Sequence, residues 1–144
     1  MLTVRIRRLA PHVSLPEYQT VGAAGFDLAA SEDVTVAPGA VALVPTGLVI
    51  RVPDGYFLGI FARSSTPMKR GLIVSNGVGV IDADYCGAKD EIKIQVMNVT
   101  REPVAVTIGD RIAQGLFIPV ARATWHETHE DLREGSRGGF GATG

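Results

Sequence analysis

Cysteine is nearly missing from this chain: Cys86 is the only one in 144 residues. One thiol excludes an intrachain disulfide framework and a cysteine-based zinc site, and makes a reducing cytoplasm the expected compartment. No apolar run approaches the roughly 20 residues of a membrane-spanning helix. The opening Met1-Leu2-Thr3-Val4-Arg5-Ile6-Arg7-Arg8 alternates apolar and basic residues, the pattern of a strand and not the apolar block of a signal peptide. Net positive charge is lacking too: 14 basic against 15 acidic residues leave −1. That argues against general affinity for duplex nucleic acid or anionic membrane. Any anion held here has to be gripped by a local set of donors.

What is present is glycine and proline, 25 of the 144 residues, spread along a chain that is 46% apolar and 20% charged. The length suits one domain with a core of its own. Glycine and proline punctuate short runs of period-2 alternation. In Glu91–Asn98 the apolar Ile92, Ile94 and Val96 share one face, with Lys93, Gln95 and Met97 opposite. Further strands are expected at Thr3–Leu9, Val34–Val36, Ala40–Val44, Gly47–Val52, Tyr56–Ala62 and Gly71–Val74. Val104–Ile108 and Ile112–Ile118 flank Gly109-Asp110-Arg111 and read as a hairpin. One helical turn fits Ser65–Gly71, with Pro67 early and Gly71 as the stop. The expectation is an all-β sandwich or barrel with one short helix, over residues 1–123.

Residues 124–144 change character. The stretch Thr124–Glu134 lacks an apolar stripe, His126 and His129 find no third metal ligand, and Gly135–Gly144 holds five glycines. Such an end is either a disordered tail or an arm that orders over an anionic ligand.

Four other segments carry chemistry. Ala24-Gly25-Phe26-Asp27-Leu28 sets an acid between apolar residues at a strand start, which alone is a turn aspartate. Ala62-Arg63-Ser64-Ser65-Thr66 ends a strand and opens the helical turn. It is either a phosphate seat, with an arginine, hydroxyls and free amides, or a plain Ser/Thr cap. In Asn76-Gly77-Val78-Gly79-Val80-Ile81-Asp82-Ala83-Asp84-Tyr85, Asn-Gly marks a tight turn and the glycines permit close approach of a planar ligand. Asp82 and Asp84 share a face if this segment is extended, and are a general base, a metal ligand or merely solvated acids. Gly109-Asp110-Arg111-Ile112-Ala113-Gln114 reads as a turn with a surface ion pair.

Taken in order, with Arg137-Gly138-Gly139-Phe140-Gly141-Ala142-Thr143-Gly144 as the last, these five segments closely resemble the five motifs of the trimeric dUTPases, over nearly the whole chain from Gly22. The resemblance implies a jelly-roll subunit in a homotrimer with shared active sites and a flexible glycine-rich C-terminal arm. It implies a Mg²⁺-assisted hydrolysis of dUTP to dUMP and pyrophosphate, which keeps uracil out of DNA and supplies dUMP. In that family Asp82 would be the base activating water, and Tyr85 would pack under the deoxyribose and exclude a 2′-hydroxyl. Asn76 and backbone near Gly79 would read uracil. Arg63, Ser64, Ser65 and Gln114 would hold phosphates, and Asp27 would orient metal-bound water without touching the metal. From the arm, Phe140 would stack on the base while Arg137, Gly141 and Thr143 close over the β- and γ-phosphates.

Three features depart from the family pattern. Cys86 stands where arginine is common, Ala88-Lys89-Asp90 is an insertion, and Arg137 lies closer to Phe140 than usual, so that Arg133 is the alternative donor. The related dCTP deaminases, which share the fold, need a glutamate where this chain has Gln95, and glutamine cannot shuttle a proton. A non-catalytic, dUTP-binding regulatory protein is the other reading.

Overall fold

Aliphatic residues at alternate positions fold this chain into eleven strands and one short helix. The computed structural model describes residues 2–139 and 141. The strands are β1 (Arg5–Arg8), β2 (Phe26–Ala29), β3 (Val34–Val36), β4 (Val41–Pro45), β5 (Leu48–Arg51) and β6 (Tyr56–Ala62), followed after helix α1 (Ser65–Arg70) by β7 (Leu72–Val74), β8 (Gly79–Ile81), β9 (Lys93–Asn98), β10 (Val104–Val106) and β11 (Arg111–Pro119). They pair in the orders β2-β11-β6-β8, β4-β9-β7, β1-β5 and β3-β10, and every pair is antiparallel.

Leu28, Leu58, Ile60 and Ile112 from the four-stranded sheet meet Val44, Leu72, Ile94 and Val96 from the three-stranded one in a single core. Each is fully buried, and each such side chain contributes about 1.5–3 kcal/mol relative to exposure. The expected face of Ile92, Ile94 and Val96 is the core face, although β9 itself starts one residue after Ile92. Among the described residues no helix is long and apolar enough to cross a membrane.

The short helix stops where expected. Gly71 closes it at φ +64°, and a Cβ there would collide with Thr100, so glycine is needed on both counts. Several strand ends are shorter than the alternation suggests: β1 begins at Arg5, and Gly47, Gly71 and Ile108 lie outside their strands.

One expectation is corrected. Val104–Ile108 and Ile112–Ile118 do not form a hairpin. β10 pairs with β3 while β11 runs between β2 and β6, so the turn closed by Asp110 N–H on Thr107 O at 2.9 Å passes from one sheet to another. The Asn76-Gly77 turn is present, with Gly77 at φ +73°, but it likewise connects two sheets: β7 pairs with β9 and β8 with β6. Residues 120–139 carry no helix or strand and are exposed.

One buried polar side chain ties the sheets together. Asn98 is fully buried at the end of β9. Its amide donates to Val36 O at 2.9 Å and Glu102 O at 2.7 Å, and its oxygen accepts from the Thr100 N–H at 2.8 Å and hydroxyl at 2.7 Å. Asn98→Ala leaves Val36 O without its donor in the interior, where an unsatisfied group costs about 1–3 kcal/mol, and also cuts the part-buried bonds to Thr100 and Glu102. Urea unfolding is expected to show a loss of about 3 kcal/mol; a loss well under 1 kcal/mol would contradict this role.

Candidate active site

The first cluster is built where β2, β11 and β6 run side by side. Asp27 lies opposite Gln114 and Ala113 opposite Ala62, which carries Arg63 and helix α1 to the same edge. The Asp27 carboxylate accepts from Arg63 Nε at 2.8 Å and Arg111 Nη1 at 3.1 Å. Two cations on one anion leave this corner with a local positive charge. Arg63 also donates from Nη1 to Arg111 O at 3.1 Å, so two of its roughly five N–H donors are used and the others are free to meet an anion. Gln114 donates to Ala62 O at 3.0 Å. A Cβ on Gly25 would meet Gln114 Oε1 at 3.0 Å and Leu116 Cδ1 at 2.8 Å, which explains the glycine two residues before Asp27.

Helix α1 is fastened at both ends to residues 110–112. Thr66 Oγ1 donates to Ile112 O at 2.8 Å and accepts the Arg63 N–H at 3.2 Å. Arg70 grips Asp110 with a fork of 2.6 and 2.7 Å, and its charge in the last turn complements the helix dipole. Ser64 is the N-cap residue by position, yet its side chain makes no capping bond. The plain-cap reading of Ser64 therefore fails, and its exposed hydroxyl, with that of half-buried Ser65, is available to a ligand.

The second cluster lies beyond β8. Asp82 and Tyr85 border a cavity of about 300 Å³ shared with Leu43, Glu91 and Lys93, at the small end of ligand-sized pockets. The segment after Ile81 is a turn, with the Tyr85 N–H on Asp82 O at 3.2 Å. Asp82 and Asp84 therefore do not share a strand face. Among the described residues no hydrogen bond or ion pair occupies the carboxylate of Asp82, whereas those of Asp27, Asp110 and Glu91 are all engaged. Asn76 stands near the start of β8, its Nδ2 3.7 Å from where a Gly79 Cβ would be.

The register of β6 sets the two clusters apart. Gly79 lies opposite Ile60 and Ile81 opposite Leu58, so Asp82 falls near Phe57 while Arg63 follows the other end of the strand. At roughly 3.4 Å per residue the two lie roughly 20 Å apart along β6. One chain brings Asp27, Arg63, Ser64, Ser65 and Gln114 together and sets Asp82 and Tyr85 apart from them; Gly79, opposite Ile60 midway along β6, and Asn76 just before it lie between the two. Arg137 and Gly141 are exposed in the C-terminal stretch. Phe140 and Thr143 lie outside the described residues.

The donor set also bears on Mg²⁺. Among the described residues no three His, Cys, Asp or Glu side chains gather as ligands, and Asp27 already serves two arginines. These residues fit a hard cation that arrives on phosphate oxygens with its own waters, not one held in a protein cage.

Sequence reasoning included Thr66 and Arg111 in their segments without their partners, and missed Arg70 and Glu91. A basic residue in the last turn of α1 was the available signal for Arg70; Thr66, Arg111 and Glu91 partner across more than 40 residues, and no local pattern marks those partners.

The Arg70 fork, and to a smaller degree the Thr107 N–H, hold the Asp110 carboxyl at about 2 instead of its ordinary 3.8, against partial desolvation that pushes it up. A depressed carboxylate stabilises the fold above its unfolded value, and the contribution is lost as pH falls through the folded value. The stability gap between wild type and Arg70→Ala is thus expected to be constant above about pH 5 and to close between about pH 4 and 2. Carbon NMR of the Asp110 carboxyl checks it directly: its midpoint should move up towards 4 in Arg70→Ala, and an unmoved midpoint would contradict the pairing.

Known proteins resemble this chain over most of its length. The family described as dUTPase matches residues 11–144. A deoxyuridine 5'-triphosphate nucleotidohydrolase of Desulfotalea psychrophila is 44% identical, over 92% of this chain and 88% of its own length. One from Thermobifida fusca is 46% identical, over 98% and 78%. Among solved structures, the dUTPase of Streptococcus mutans superposes with a TM-score of 0.77 at 35% identity, covering 85% of this chain and 98% of that one. The chain belongs to the dUTPase family.

Proposed function

We propose that this protein hydrolyses dUTP to dUMP and pyrophosphate, at sites shared between the subunits of a homotrimer. The observation that carries this reading is a free carboxylate, Asp82, beside an aromatic ring, Tyr85, in a nucleoside-sized cavity, with the phosphate-suited cluster of Arg63 at a distance. A base must come within about 3 Å of the water whose proton it takes, and groups gripping the phosphates approach at about 2.7–2.9 Å. Across the length of β6 they are met only with side chains and triphosphate stretched to their full reach. They can also be met when Asp82 of one subunit faces Arg63, Ser64, Ser65 and Gln114 of another.

In this mechanism Asp82 takes a proton from water as its oxygen bonds to the α-phosphorus. The bond from the α-phosphorus to the bridging oxygen breaks, and pyrophosphate leaves. Arg63 and the hydroxyls of Ser64 and Ser65 stabilise the charge that develops on the phosphate oxygens. Mg²⁺, were it to arrive on the triphosphate, would offset the remaining negative charge, with Asp27 placed to orient its waters. Asp27 keeps Arg63 aimed and has lone pairs left to orient water. Tyr85 packs against the sugar, and Asn76 with the backbone near Gly79 reads the base. Stacking of Phe140 on that base, worth about 1–3 kcal/mol, together with Arg137 or Arg133, draws the arm over the bound nucleotide and excludes bulk water.

Deamination of dCTP is disfavoured by Gln95, whose amide is engaged in donating to Ser75 Oγ at 3.0 Å. Pyrophosphate release measured side by side with dUTP, dCTP, dTTP and UTP tests the substrate, and only dUTP should turn over efficiently. Asp82→Asn should lose about 10²–10⁴-fold in turnover while still binding dUTP, the range for loss of a general base. Near-normal turnover in that variant would exclude Asp82 as the base.

A further inference from the structure

Glu91 is tied through both its side chain and its main chain. Its Oε1 accepts the Gly47 N–H at 2.8 Å, and its carbonyl accepts the Tyr85 hydroxyl at 3.1 Å. The surrounding backbone is held firmly. Thr46 donates to Ile92 O from its hydroxyl at 2.6 Å and its N–H at 3.2 Å, and Ile92 N–H donates to Leu48 O at 2.9 Å. Gly47 is fixed in turn at φ +67°, packed so closely on Val13 that a Cβ would clash.

The Tyr85 side chain therefore spans two anchored points, its own N–H on Asp82 O and its hydroxyl on Glu91 O. Between them the chain bulges outward and closes on itself. Gly87 N–H donates to Asp90 Oδ2 at 2.6 Å, and Arg7 Nη2 donates to Ala88 O at 2.6 Å. The Ala88-Lys89-Asp90 insertion is thus absorbed in the bulge, and its two stems, Tyr85 and Glu91, stay in bonding distance.

We infer that Glu91 is a positioning residue for sugar selection: its side chain on the Gly47 N–H, together with the Ile92 N–H on Leu48 O, fixes the Glu91 carbonyl, and through it the Tyr85 ring, where a 2′-hydroxyl would collide with that ring. This rests on the reading of Tyr85 given above. A ribose differs from a deoxyribose by one oxygen, so discrimination depends on the ring being unable to yield. With the hydroxyl tether lost, side-chain rotation lets the ring swing aside and admits the larger sugar.

The test is the ratio of kcat/KM for dUTP to that for UTP. Glu91→Ala and Tyr85→Phe should each lower it by about five- to tenfold, the worth of one hydrogen bond. The double variant should fall no further than either single one, because both act through the same ring. Glu91→Gln, whose amide oxygen still accepts from Gly47, should restore the wild-type ratio. An unchanged ratio in Glu91→Ala, or an additive fall in the double variant, would overturn the inference while Tyr85→Ala still relaxes selection. If Tyr85→Ala leaves the ratio unchanged, the reading of Tyr85 itself fails, and this one with it. Should Glu91→Ala not fold, Tyr85→Phe decides: a lowered ratio supports the tether and an unchanged one overturns it.

Discussion

β6 is bonded along both edges, to β11 over its whole length and to β8 over Leu58–Ile60, and that double pairing fixes the distance between the two halves of the site. A strand held on both sides can neither shorten nor bend enough to bring Arg63 to Asp82. The core residues Leu58 and Ile60 lock it further. The separation is thus a property of the sheet, and it is the reason the proposed site draws on a second copy of the chain. The same rigidity is useful to catalysis, because groups presented from strand ends keep their aim.

The carboxylates near the two clusters divide. Asp27 is tied to two arginines, Asp110 to Arg70 and Glu91 to the Gly47 N–H. Among the described residues Asp82 borders its cavity with no such partner, as does its neighbour Asp84. With a net charge of −1, the protein has no general pull on a polyanion, so it concentrates positive charge where Arg63 and Arg111 share a single counter-ion. That excess is local and short in range, which suits recognition of a triphosphate better than steering it from afar.

Much of this was legible in the sequence, for reasons that can be named. Alternation in Glu91–Asn98 marked its core face because a strand has only two faces. Pro67 and Gly71 marked the helix because each removes a conformational choice. The five segments carried the chemistry in their residue types. What stayed hidden was pairing. Alternation says which face is buried but not which strand lies alongside, so Gly109-Asp110-Arg111 looked like a hairpin when β10 in fact joins β3. The Asp82–Tyr85 turn was obscured because its extended and turned forms carry the same residues. The Arg70–Asp110 fork and the Glu91–Gly47 bond join residues 40 and 44 positions apart, beyond any local signal.

Whether one site draws on two chains is decided most directly by mixing subunits. Asp82→Asn and Arg63→Ala are each expected to be inactive alone, since one lacks the base and the other the phosphate grip. Unfolded together and refolded, they should, on the proposed architecture, form hybrid trimers in which some sites pair an intact Asp82 from one chain with an intact Arg63 from another. Pyrophosphate release from dUTP should then recover to a measurable fraction of wild type. If gel filtration and mass analysis show mixed trimers and activity stays at the level of the two parents, Asp82 and Arg63 act from the same chain and the shared-site architecture is wrong.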